Sequence, residues 1–239
     1  MLIGILCTGL LSAFIGLVAY FGQYMGTFVI SIDEYAINLG ISLSDSADYS
    51  DPSTRLLVNP VEKALPVTFG DIAFKDAIST DGDMDVTGNN NYIAYTFYIR
   101  NEGNVSVDVS LNLATLTVTN GVDSAVRVAV IEDGNVDSDG NITMKDGMLY
   151  MKSEENKDQV TYKLLTDEQK ELYDQFRVYE FKTDHFGDYV MENFNPADQK
   201  KFTLIIWLEG WDEDCNDSIK SGQLKMDLSF KIVGISEED

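Results

Sequence analysis

Alternation of apolar and polar side chains organises most of this chain. Val105, Val107, Val109, Leu111 and Leu113 alternate with Ser106, Asp108, Ser110 and Asn112; Leu224, Met226, Leu228, Phe230 and Ile232 alternate with Lys225, Asp227, Ser229 and Lys231. A period of two sends successive side chains to opposite sides of a sheet, so both segments read as strands with one apolar and one wet face. Residues 92–99 and 202–208 are apolar on both faces, the pattern of central strands covered on two sides. Val126, Val128 and Val130 mark a further strand, and residues 28–32 and 37–43 predict two more ahead of a polar loop. Asn101-Glu102-Gly103-Asn104 predicts a hairpin turn, and Asp-Gly pairs at 133, 139 and 146 predict others. Helical signals are few. Thr166, followed by Asp167, Glu168 and Gln169, has the form of a capping box, and Leu165, Leu172, Tyr173 and Phe176 supply an apolar stripe. Residues 184–195 are expected to add a short second helix. Eight or nine strands with one or two short helices predict an all-β fold, a two-sheet jelly-roll-like sandwich over residues 28–236.

The start of the chain breaks this pattern. No Lys, Arg, Asp or Glu occurs before Asp33, and residues 2–21 carry only Cys7, Thr8, Ser12 and Tyr20 as polar side chains. About twenty apolar residues in a helix span one bilayer, so residues 1–22 are expected to be a membrane anchor or signal helix. No basic residues precede the apolar run, and a cut after Ala19 would leave Leu17 where a small residue is preferred. A retained anchor is the favoured reading, with secretion the outcome if the chain is cleaved near Ala19.

Composition narrows the function classes. The 239 residues hold 17 basic and 40 acidic side chains, a formal net charge of −23. Such a surface repels phosphate backbones, which excludes nucleic-acid binding through a basic patch. A hydrophobic content of 44% is too high for a disordered acidic tail. Cys7 falls in the apolar segment, so Cys215 has no partner for a disulfide inside the exported part. Exported domains without disulfides suit bacteria of the Gram-positive type. The sequons at Asn104, Asn141 and Asn216 matter only in a eukaryotic host.

Candidate chemistry is sparse. His185 is the only histidine, and Cys215 follows Asp212, Glu213 and Asp214, whose charges oppose thiolate formation. No nucleophile elbow, zinc-protease, Walker or dinucleotide motif occurs. Asn135, Asp137, Asp139, Gly140, Ile142 and Asp146 follow calcium-loop spacing, with Asn135 in place of the usual Asp and Asp146 in place of the bidentate Glu. Asn135, Asp137, Asp139, Asn141 and Asp146 are therefore candidate calcium ligands, and a plain hairpin with a polar tip explains the same residues. Asp81, Asp83 and Asp85, and Glu209, Asp212, Asp214 and Asp217, are two further acidic groups, read as solvated loops.

Several segments resemble the TasA/camelysin-like exported proteins of Firmicutes. The apolar start ends in Ala19-Tyr20-Phe21, Phe97 to Gly103 matches an F-x-x-x-N-x-G hairpin, and Leu224–Ile232 forms a final amphipathic strand. Trp207-Leu208-Glu209-Gly210 with Asp214 and Cys215 also resembles the tail of uncharacterised Firmicutes surface proteins. The resemblance implies a jelly roll and assembly in which an N-terminal segment completes a neighbour's sheet; apart from the candidate calcium, no cofactor is expected from the residues. The donor would be residues 20–32, with Phe28, Ile30 and Ile32 on one face; Trp211 is an exposed aromatic for partner contact and Trp207 faces a core. The expected function is a non-enzymatic cell-surface or matrix protein held at the membrane through residues 1–22. It would form homo-oligomers or fibres and meet other cell-surface proteins. The alternative is a membrane-anchored ligand-binding or accessory subunit whose acidic loops hold divalent cations.

Overall fold

A computed structural model describes residues 28–61, 64–84, 91–152, 157–181 and 189–236. The expected membrane helix over residues 1–22 lies outside them, as does His185. No helix among the described residues is long and apolar enough to cross a membrane.

In chain order the elements are β1 (Phe28–Ile32), α1 (Glu34–Asn38), β2 (Ile41–Ser44), β3 (Arg55–Val58), α2 (Phe74–Ser79), β4 (Gly82–Asp83), β5 (Ile93–Asn101) and β6 (Ser106–Val118). There follow β7 (Val126–Glu132), β8 (Asn135–Val136), β9 (Ile142–Thr143), β10 (Asp146–Met151), α3 (Lys157–Leu164), α4 (Asp167–Tyr173), β11 (Phe176–Glu180), β12 (Tyr189–Phe194), β13 (Gln199–Leu208) and β14 (Leu224–Ser236). One sheet has the order β12-β6-β14-β1-β3, and the other β11-β10-β7-β13-β5-β2, with β4 also on β5. All described pairs within these two sheets are antiparallel except β1 with β14 and β10 with β11.

The alternating residues do what their period requires. Val107, Val109, Leu111 and Leu113 of β6 and Met226, Leu228, Phe230 and Ile232 of β14 face Phe97, Ile99, Val128, Val130, Phe202 and Leu204 of the other sheet in one core. Each fully buried large side chain there contributes roughly 1.5–3 kcal/mol relative to exposure. The doubly apolar strands β5, β7 and β13 use their second face as well. Ala94, Ala129, Ile131, Ile205 and Trp207 pack under Phe69, Phe74, Ile78, Leu165 and Tyr173 in a second core. Helices and short turns thus cover the outer face of the larger sheet, which is why its central strands read as continuous hydrophobic runs.

Two local expectations are corrected. Residues 37–43 were expected as one strand, but Asp33 Oδ1 accepts from Tyr35 N at 2.9 Å and starts a helical turn. Gly40, at φ +88°, ends that turn, and the strand begins only at Ile41. The second difference is at 184–195, expected as helix. Its described part is β12, with Tyr189 and Met191 inward and a register shift before Phe194. That bulge disturbs the period of two and gives the sequence its helical look. The Thr166 capping box forms as read: Oγ1 accepts from Gln169 N, and Gln169 Oε1 accepts from Thr166 N at 2.9 Å.

Candidate functional site

β1 lies in the middle of a sheet, between β14 and β3. Val29 pairs with Asp227 and Ile32 with Phe230 in the parallel ladder; Phe28 pairs with Val58 and Ser31 with Arg55 in the antiparallel one. Phe28, Ile30 and Ile32 do share one face, and that face is buried in the inter-sheet core instead of being presented to a partner. Residues 20–27 of the expected donor lie outside the described residues. On the opposite face Ser31 Oγ donates to Asp227 Oδ1 at 3.4 Å. Burial pushes the Asp227 carboxyl above its ordinary range, against the Ser31 bond and the charges of Arg55 and Lys225.

The WLEG segment and its acidic continuation form a buried polar centre, which corrects their reading as a solvated loop. Glu209 and Asp212 are buried. Glu209 Oε2 accepts from Trp207 Nε1 at 3.0 Å and from Phe69 N at 3.1 Å, while Oε1 accepts from Trp211 N at 3.2 Å. Arg127, on β7, donates to Asp212 Oδ2 at 2.7 Å with both side chains sealed from solvent. Desolvation nevertheless dominates at Glu209, whose carboxyl is raised despite these bonds and Arg127. Trp211 is half-buried against the second core, so it is not the freely exposed aromatic expected, and Trp207 is buried there as expected. Cys215 is half-buried, and its thiol is raised by burial first and then by Asp212 and Glu209, the reverse of nucleophile activation. Asp217 does stand exposed, paired with Lys220 at 2.8 Å.

The hairpin motif has an equally structural basis. Asn101 is fully buried; its Nδ2 donates to Val105 O at 2.9 Å and Phe194 O at 2.7 Å, and its Oδ1 accepts from Gly103 N at 2.9 Å. A Cβ on Gly103 would come within 2.0 Å of Leu39 O, so only glycine fits there. One amide side chain therefore fastens the β5–β6 turn to β12, and the glycine lets the Leu39–Gly40 backbone close over it.

The candidate calcium loop is a small hairpin. β8 pairs with β9, and Asp137 closes the turn by accepting from Asp139 N, Asn141 N and Asn141 Nδ2. These bonds hold the Asp137 carboxyl below its ordinary range. Of the five candidate ligands, Asp137 and Asn141 are joined by a hydrogen bond, Asp146 begins β10 and lies against Arg177 of β11, and Asn135 and Asp139 are exposed. Among the described residues no three His, Cys, Asp or Glu side chains are grouped as metal ligands. Asp81 accepts from Tyr98 Oη at 2.6 Å and Ala47 N at 3.0 Å, and Asp83 accepts from Asn59 Nδ2 at 2.9 Å; Asp85 lies outside the described residues.

One charged centre had no sequence signal. Glu132 closes β7 and is fully buried at the rim where the sheets meet. Its Oε1 accepts from Lys145 Nζ at 2.8 Å and lies 3.7 Å from Lys200 Nζ, which also contacts Asp133 at 2.9 Å. Tyr189, from the opposite sheet, faces it, and burial together with the Glu132 charge drives the phenol far up. In the sequence Glu132 stands one residue before the Asp133-Gly134 turn; in the fold it lies between Asp146 of β10 and Phe202 of β13 with Tyr189 of β12 facing it. The chain matches no model of a known protein family and no curated protein.

Proposed function

We propose that this chain is a non-enzymatic cell-surface or matrix protein, a jelly-roll-like sandwich displayed outside the membrane through residues 1–22 and able to assemble by strand addition. The observation that carries this reading is β1. It is an N-terminal strand seated in a slot between β14 and β3, joined to β2 of the other sheet through residues 33–40. The apolar row Phe28, Ile30 and Ile32 fills that slot, and main-chain pairing on both sides makes it indifferent to which copy supplies the strand. The buried polar groups support a scaffold over an enzyme: Glu209, Asp212 and Asn101 spend their oxygens on neighbouring backbone and side chains.

Cysteine trapping tests the reading. Ser31→Cys and Arg55→Cys are placed in separate full-length chains that also carry Cys7→Ser and Cys215→Ser, and the chains are mixed under oxidation. Because Ser31 and Arg55 are register partners, an exchanged strand yields a heterodimeric disulfide. Monomers only after mixing, with a closed intrachain bridge when both cysteines share one chain, would overturn assembly by this strand.

A further inference from the structure

We infer that β1 and β14 form a mechanical clamp that resists tension applied between the two ends of the chain. The strands are hydrogen-bonded neighbours and run parallel, Val29 opposite Asp227 and Ile32 opposite Phe230. A pull on the N-terminal side of β1 and on the C-terminal side of β14 drives them in opposite directions along their common axis. The ladder bonds between them are then stretched together instead of opening one after another. In an antiparallel terminal pair the same pull would unzip the ladder from one end.

The surroundings of β1 strengthen the shear path. Its other edge is bonded to β3, Ile32 N donates to Thr54 O at 3.1 Å, and Asp33 N extends the β14 side by donating to Phe230 O at 2.9 Å. β14 itself is held along nearly its whole length by β6, from Leu224 opposite Val118 to Ser236 opposite Ser106. The weakest link on the load path is therefore β1. Sliding β1 by one residue would turn Phe28, Ile30 and Ile32 out of the core and bring Val29 and Ser31 in, so each step of slip opposes packing as well as hydrogen bonding. Force resistance is set by the unfolding barrier and not by equilibrium stability, so the clamp is a property of direction.

This inference rests on the topology alone and goes beyond the proposed role, which it would serve by holding a tethered body against load. The test uses the full-length chain with Cys7→Ser and Cys215→Ser in a single-molecule pulling experiment. One form is held by its N- and C-termini. A second is held by its N-terminus and by a handle at exposed Gln223→Cys, beside the start of β14, where the same β1 ladder must unzip. The expected result is a first rupture at several-fold higher force in the terminal geometry. Equal rupture forces in the two geometries would overturn the clamp, as would a first extension in the terminal geometry too short to include release of β1. Neither outcome bears on whether strands exchange between copies, which the disulfide-trapping experiment decides separately.

Discussion

Arg127 and Asp212 illustrate how single residues hold this fold. Two opposite charges in a dry site stabilise each other only as a pair, and removing one leaves the other buried and uncompensated. Arg127→Ala is therefore expected to destabilise by about 3–5 kcal/mol. An apolar pair at the same positions, Arg127→Met with Asp212→Leu, should recover most of that loss. Urea denaturation of both variants checks this; a single variant as stable as the native chain would contradict the pairing. Asp227 makes a prediction in pH. Its carboxyl is raised on folding, so the protonated form is the one the fold favours. The stabilising contribution is complete below the unfolded carboxylate range, near pH 3.9, and is lost as pH rises through the higher folded value. Asp227→Asn should thus be more stable than the native chain at neutral pH, with the gap closing in acid. A gap that persists at low pH would assign the gain to packing.

At the scale of elements, what the period of two could say it said correctly: β5, β6, β7, β13 and β14 sit where alternation or doubly apolar runs put them. The failures share a cause. β12 carries a bulge and α1 is a five-residue helix, and both are too short for periodicity to register before the next turn resets it. The β8–β9 hairpin is the most instructive case, because its spacing fits a calcium loop while its hydrogen bonds are those of a turn closed on itself. Asp137 already spends its oxygens on the turn's own N–H groups. Millimolar calcium is accordingly expected to leave the melting temperature unchanged, whereas binding at 100 times the dissociation constant would add about 2.7 kcal/mol. A clear upward shift would mean that the hairpin reorganises around the ion.

For the whole molecule the net charge of −23 is the dominant long-range term. Like charges at this density oppose the compact state, and salt screens them over about 10 Å at 0.1 M. Melting temperature should rise between low salt and physiological ionic strength; a fall would mean that pairs such as Lys200 with Asp133 outweigh the repulsion. The sequence by itself determined what short-range chemistry can encode: the all-β class, the faces of the long strands, the Thr166 cap and the glycine at 103. It could not decide which strands become neighbours. The parallel seat of β1 against β14, the approach of Tyr189 of β12 to Glu132, and the meeting of Arg127 with Asp212 all join residues far apart in the chain, 85 positions for Arg127 and Asp212 and 196 for Ser31 and Asp227. No local pattern carries such pairings, since side-chain periodicity specifies a face and not the partner that covers it.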